Sequence, residues 1–192
     1  MIRNGFLLVV CGLVASLASS GPAAAAELGP ILPDKSRLTF VSRQMGVAVE
    51  GEFRRFAVNM SFDPAKPDAG RAQIEIDMAS VDAGAAETNE EVTSKNWFHV
   101  KQFPKATFVS SSVKALSGNR LEVAGKLTIR DKVRDVVAPV IITQQGANTL
   151  FEGAITIRRA DFGIGQGVWA DFDTVANEVQ IKFRLVAASK KT

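Results

Sequence analysis

The side chains equipped for chemistry are few and scattered. The sequence of 192 residues holds one His, one Cys and no Tyr. A nucleophilic triad would have to pair His99 with Ser110, Ser111 or Ser112. Such a serine sits on a sharp turn of the G-x-S-x-G kind, whereas these three lie along a strand-like run, so His99 reads as an exposed or capping residue. Zinc takes three or four His, Cys or carboxylate ligands, and a lone His predicts no metal site. Gly125-Lys126-Leu127-Thr128 imitates the end of a phosphate-binding loop, but that loop needs a glycine five positions earlier, where Arg120 stands. Gly163, Gly165 and Gly167 imitate a dinucleotide fingerprint without the βαβ unit it requires. Asp171 and Asp173 start like a calcium loop that lacks its glycine and distal Glu, so a solvated turn is expected. The better polar candidate is Arg158-Arg159. At a cavity mouth Arg159 would hold a phosphate through charge-assisted hydrogen bonds; the alternative is that it pairs with Asp161 and fixes a turn. Arg54-Arg55 is a weaker case of the same kind. Active sites need convergent titratable groups. This chain is better suited to enclosing something apolar, and no catalytic residues, enzyme activity or required cofactor are expected.

The first 26 residues have the pattern of a secretory signal peptide. Arg3 gives a positive start, Gly5 to Ala18 an apolar run, and Ala24-Ala25-Ala26 a small-residue cleavage site. The run is shorter than the roughly 20 residues that span a bilayer. A lipoprotein signal ending at Cys11 fits less well, because bulky Val10 precedes that Cys. Cleavage would leave residues 27–192 as a single domain without cysteine, exported to an oxidising space and held together by its core rather than by disulfides. The net charge of +3 is too mild for a nucleic-acid binder, which wants clustered basic residues.

The elements that must position any site are strands. Leu28 to Lys35 predicts an extended lead-in. Leu38, Phe40 and Ser42 then share one face of a strand, ending in a turn at Gln44-Met45-Gly46. Val47, Val49, Gly51 and Phe53 alternate, and Phe56, Val58, Met60 and Phe62 alternate in the opposite phase. A one-residue slip flips every side chain, so a β-bulge is expected at Arg54-Arg55, with two kinked short strands as the alternative. Ala72, Ile74, Ile76 and Met78 form the next one-sided strand. Thr88-Asn89-Glu90-Glu91 matches a capping box and predicts one short helix near residues 88–95. Trp97-Phe98 follows. Strands are then predicted over Thr107–Leu116 (with Phe108), over the Leu121–Ile129 run (with Leu127 and Ile129), and over Val133–Thr143, where Pro139 marks an edge or bulge. Phe151, Gly153, Ile155 and Ile157 alternate, as do Val179, Ile181, Phe183 and Leu185 at the end. About eight antiparallel strands predict an all-β sandwich or barrel. Phe162 and Trp169 join the aromatic set, which exceeds what a small filled barrel needs. Alternation alone leaves open a packed core or a lined cavity.

Four blocks occur together and in order: Gly51-Glu52-Phe53; Trp97-Phe98 leading to Phe103-Pro104-Lys105-Ala106-Thr107-Phe108; Gly125 to Ile129; and Arg159-Ala160-Asp161-Phe162-Gly163-Ile164. Over Lys35 to Val186 the chain resembles the YceI-like family of exported, lipocalin-like, polyisoprenoid-binding proteins. The resemblance implies an antiparallel lipocalin-like barrel with a helix near one end. It also implies an apolar channel for an isoprenoid lipid, a polyprenyl phosphate or a quinone, walled by the aromatic and aliphatic residues named above, with Arg159 at the head group. Gly46 to Gly51 looks like a branch associated with cytochrome b561-type membrane proteins, which implies such a partner. A homodimer is left open. Three departures bear on head-group chemistry: no His in Ser42 to Met45, His99 at a commonly acidic position, and Asp131 at a frequent glycine. The exported protein is expected to begin at Glu27 on N-terminal sequencing. A mature chain that keeps Met1 to Ala26 would overturn the leader assignment.

Overall fold

The computed structural model describes residues 28–189, so the predicted leader and Cys11 lie outside the described residues. Eleven strands are described, rather than about eight. They are β1 (Leu28–Ile31), β2 (Arg37–Gln44), β3 (Val47–Phe53), β4 (Phe56–Ser61), β5 (Arg71–Asp77), β6 (Val81–Asp82), β7 (Lys105–Ala115), β8 (Arg120–Ile129), β9 (Lys132–Gln145), β10 (Asn148–Arg158) and β11 (Glu178–Ser189), with α1 (Ala86–Thr93) after β6. All pairings are antiparallel, in the order β4-β5-β7-β8-β9-β10-β11-β2-β3-β6, with β1 added to β11. The sheet curls strongly into a half-barrel. The larger count comes from the lead-in pairing as β1, from the two-residue β6, and from the division of the long second segment.

That division corrects the expected bulge. The phase change between Phe53 and Phe56 is present, but β3 pairs with β2 and β6 while β4 pairs with β5. The two strands lie toward opposite ends of the strand order, so the chain itself links the margins of the curled sheet at Arg54-Arg55. The link is held by Arg54 N donating to Ser80 O (3.1 Å), Arg55 N to Ser80 Oγ (3.0 Å) and Asp77 N to Arg55 O (3.0 Å). Pro139 has no N–H to offer. β9 stays paired with β8 through it, but the β9–β10 ladder stops at Val140 opposite Gly153, one residue short of it.

The turns follow backbone chemistry. β2 and β3 are joined by the two residues Met45 and Gly46, both at positive φ (47° and 80°), as a primed hairpin turn demands. The expected capping box is absent. α1 starts two residues earlier than predicted, Ala85 is its N-cap without a side-chain bond, and Thr88 lies inside the helix. Asn89 does the tethering instead, its Oδ1 accepting from Ala83 N (2.6 Å). Asp82 Oδ1 accepts from Gly84 N (3.1 Å) and Asn89 Nδ2 (3.5 Å), and its other oxygen pairs with Arg54.

These donors, the Gly84 N–H first, hold the Asp82 carboxyl below the ordinary carboxylate pKa. A depressed folded-state pKa contributes stability above the unfolded value of about 3.9 and loses it as pH falls through the folded one. Hydrogen-exchange protection of α1 should therefore drop on acidification below about pH 4, and Asp82→Asn should flatten that response. Equal acid sensitivity in both proteins would refute the tether.

Candidate functional site

The concave face of the sheet carries the apolar half of every alternation, and it is not filled. Among the described residues, two cavities of note lie inside the sheet. The first, about 120 Å³, is walled by residues of β2, β4, β5 and β7–β11, among them Met60, Ile74, Phe108, Val136, Phe151, Ile155 and Phe183. It reaches the exposed Ser61 and Arg71, with Gly70 between strands β4 and β5, so one end approaches the surface. The second, about 90 Å³, lies beneath α1 and the connection after it, against Phe40, Phe53, Val92, Trp97, Phe98, Ile129 and Ile164. Four side chains face both cavities: Leu38, Ile76, Leu127 and Ile181. The interior is thus neither a solid core nor one uninterrupted tunnel. An apolar cavity of roughly 150 Å³ stays dry and takes up a benzene-sized guest, and these cavities approach that size.

Three glycines keep the walls thin. A methyl on Gly51, Gly125 or Gly153 would stand within 3.0 Å of the rings of Phe40, Phe108 and Phe183 respectively. Each ring comes from the neighbouring strand. Phe40 stands opposite Gly51 and Phe183 opposite Gly153, while Phe108 reaches Gly125 diagonally from its place opposite Leu127. A ring laid against a glycine lines the cavity, whereas over a branched residue it would project into it. Phe40, Phe53 and Phe98 then form a chain of tilted contacts at 5.6 and 6.0 Å, and Phe62 meets Phe151 edge-on at 5.5 Å.

Of the sixteen apolar residues singled out from sequence, twelve face a cavity. Val49 is half-buried on β3 and faces neither. Phe56 lies where the two core clusters meet and floors a surface cleft with Arg37, Glu52, Arg54 and Arg55. Phe162 is buried in the core, with the Arg134 guanidinium 6.0 Å from its ring. Trp169 stands edge-on to Trp97 at 5.8 Å and donates its indole N–H to Glu91 Oε1 (2.7 Å), locking the following loop to α1. Leu38, Ile181, Val136, Ala138 and Val140 line cavities and were missed as site residues. Their signal was the same period of two, which an emphasis on aromatic rings passes over.

Arg159 needs correction as a head-group residue. It is 1 % exposed, and its donors go to six backbone carbonyls: Nε to Ala176 (3.1 Å), Nη1 to Ile164 (2.9 Å) and Gly165 (3.0 Å), Nη2 to Trp169 and Val175 (2.7 Å each) and, at 3.5 Å, to Asp171. Arginine has five N–H groups, so none is left for a phosphate. Burial lowers its pKa from the ordinary arginine value. The guanidinium carbon lies 5.8 Å from the Trp97 ring and 5.3 Å from Phe172. Gly165, at φ 75°, leaves the space that Nη1 occupies. Asp161 pairs with Arg158 instead (3.2 Å). Arg54 and Arg55 are engaged with Asp82 and Asp77 on the surface.

The remaining candidates are local structure. His99, at φ 51°, packs edge-on to Phe103 at 5.8 Å. Ser110 sits in the irregularity of β7 and accepts from Ala72 N (2.8 Å). Asp171 Oδ1 accepts from Asp173 N (2.9 Å), as in a solvated turn. The indole nitrogen of Trp97 and Arg130 Nε are buried without a partner among the described residues.

A curled antiparallel sheet with an apolar, partly empty concave face and one capping helix defines a lipocalin-like protein. A family model described as the YceI-like domain matches residues 30–187, and the chain belongs to that family. BcnA of Burkholderia cenocepacia superposes with a TM-score of 0.80 at 46% identity, over 82% of this chain and 99% of its own. A UPF0312 protein of Pseudomonas savastanoi is 29% identical, over 82% of this chain and 86% of its own length. At 17% identity the fold is shared with a polyisoprenoid binding domain from Saccharophagus degradans implicated in plant cell wall breakdown (TM-score 0.64, 86% of this chain and 99% of that one).

Arg159→Met should cost about 3–5 kcal/mol in denaturant unfolding, because several buried carbonyls lose their donor at once. Arg159→Lys, with three donors in place of five, should recover only part of it. A loss below about 1 kcal/mol, the worth of a single hydrogen bond, would show that the loop stands without the guanidinium.

Proposed function

We propose that this chain is a periplasmic binding protein that encloses the tail of a long isoprenoid lipid and carries it through water. It acts by holding its ligand rather than transforming it. The supporting observation is the pair of cavities stacked inside the curled sheet, walled almost wholly by carbon. Affinity then comes from burying methylenes, about 0.8 kcal/mol each, with little directional bonding. The membership of the YceI-like family and the shared fold with a polyisoprenoid binding domain support the same ligand class. A polyprenyl phosphate and an isoprenoid quinone share this tail. With Arg159 spent on carbonyls, the head group belongs outside the apolar walls, toward the rim at Ser61 and Arg71.

A second reading, docking to a membrane protein such as a cytochrome b561-type partner, has one observation in its favour. Met45 and Val47, at the β2–β3 turn, are highly exposed, as is Val168. Met45 N donates to Thr174 O (3.0 Å), which brings that turn beside the loop carrying the half-exposed Phe172.

Denaturing extraction and mass spectrometry of protein purified from its native source should release an isoprenoid lipid and tell phosphate from quinone. Solanesol or a ubiquinone in about 100-fold excess over Kd should raise Tm by roughly 5–10 °C. No released lipid together with no rise in Tm would end the carrier reading.

A further inference from the structure

We infer that Leu38, Ile76, Leu127 and Ile181 form a neck that sets which chain lengths the protein retains. This rests on the lipid-binding reading and adds a determinant to it. A side chain that faces both cavities stands between them, and these are the four that do. They come from two opposed stretches of wall. Leu38 on β2 and Ile181 on β11 belong to paired strands, as Leu38 stands opposite Phe183 and Ile181 opposite Phe40. Ile76 on β5 and Leu127 on β8 flank β7 on the other side. Leu38, Ile76 and Leu127 are each at most 9 % exposed, Ile181 is half-buried, and the two cavities do not join through them, so the neck is shut.

The neck is shut by side chains alone. Among the described residues no ladder hydrogen bond joins β2 or β11 to β5 or β8, so it opens by rotamer changes of aliphatic groups. Ala106 stands opposite Ile76 in the β5–β7 ladder and offers a small neighbour over which that side chain can swing. A short chain fills the first cavity from the rim and leaves the neck closed. A longer chain parts the four side chains and enters the second cavity. Retention therefore rises in two stages with chain length, with a step where the neck is crossed.

The tryptophans report the crossing. The chain has two; Trp97 faces the second cavity and Trp169 packs against it, while neither faces the first. The experiment adds geraniol, farnesol and geranylgeraniol, in rising length, to the full mature protein and follows Tm and tryptophan emission together. Geraniol should raise Tm without moving the emission, and geranylgeraniol should raise Tm further and shift it. Leu127→Phe, which thickens the neck, should weaken geranylgeraniol at least tenfold more than geraniol and abolish its emission shift. Ile181→Ala, which thins it, should let farnesol shift the emission as geranylgeraniol does in the parent. The two variants move the threshold in opposite directions, which a general loss of stability would not do. An emission shift already produced by geraniol, or equal weakening of all three alcohols by Leu127→Phe, overturns the neck while leaving lipid binding intact. If none of the alcohols binds at any length, the lipid-binding reading fails, and the neck with it.

Discussion

The structure depends on one constraint: a curled antiparallel sheet must send every second side chain inward, whatever lies there. With period two and eleven strands, the concave face receives a dense set of Phe, Ile, Leu and Val. Packed to ordinary interior density, such a set would leave few voids larger than a water molecule. Here three of the largest rings, Phe40, Phe108 and Phe183, each lie against a glycine of the neighbouring strand. The glycines remove wall thickness where the rings add it. The same close approach puts backbone carbonyls of Asp82, Val109 and Pro139 near the missing methyl positions, so the three sites also mark tight curvature. Curvature and hollowness thus share a cause.

Closure is achieved by means other than a complete hydrogen-bonded ring. The β9–β10 ladder gives out before Pro139, and among the described residues β4 has a ladder only with β5. The chain compensates in three ways. Arg54-Arg55 joins β3 to β4 covalently across the margins. β1 lies on β11, and its Leu28 and Ile31 pack into the core cluster that also holds Val58 and Met60. Phe162 is buried just beyond the end of β10, with Arg134 of β9 over its ring. A wall closed partly by side chains can admit a guest without breaking a ladder.

The capped end is organised by a buried cation. An unpaired charge in an apolar setting is costly, and among the described residues Arg159 has no carboxylate partner. Its five N–H groups instead collect the carbonyls of Ile164, Gly165, Trp169, Asp171, Val175 and Ala176. One side chain thereby ties together the loop that runs from Ile164 to Ala176. Trp169 extends the arrangement to α1 through Glu91, and Asn96 O accepts from both Gly165 and Gln166 (2.9 and 2.8 Å). The loop, the helix and the Trp97-Phe98 connection become one lid over the second cavity.

Much of this was written in the order of residues. Alternation identified the strands and their inward faces, because side-chain direction in a strand is set by the backbone and needs no distant partner. It located the phase break at Arg54-Arg55, the interruption at Pro139 and twelve wall residues. Local pattern did less well where tertiary contacts compete: Thr88 and Glu91 match a capping box, yet Asn89 and Asp82 hold the helix through β6. Arg159 was visible as an unusual residue, but its role depended on where six carbonyls from a later loop fall, and no spacing encodes that. Whether the inward residues meet or leave space was likewise settled only in three dimensions, by the register that puts Phe40, Phe108 and Phe183 over glycines and sets Leu38, Ile76, Leu127 and Ile181 between two cavities. The reason is physical: a residue's own backbone decides which way its side chain points, but the volume left over depends on what every other strand sends to the same place.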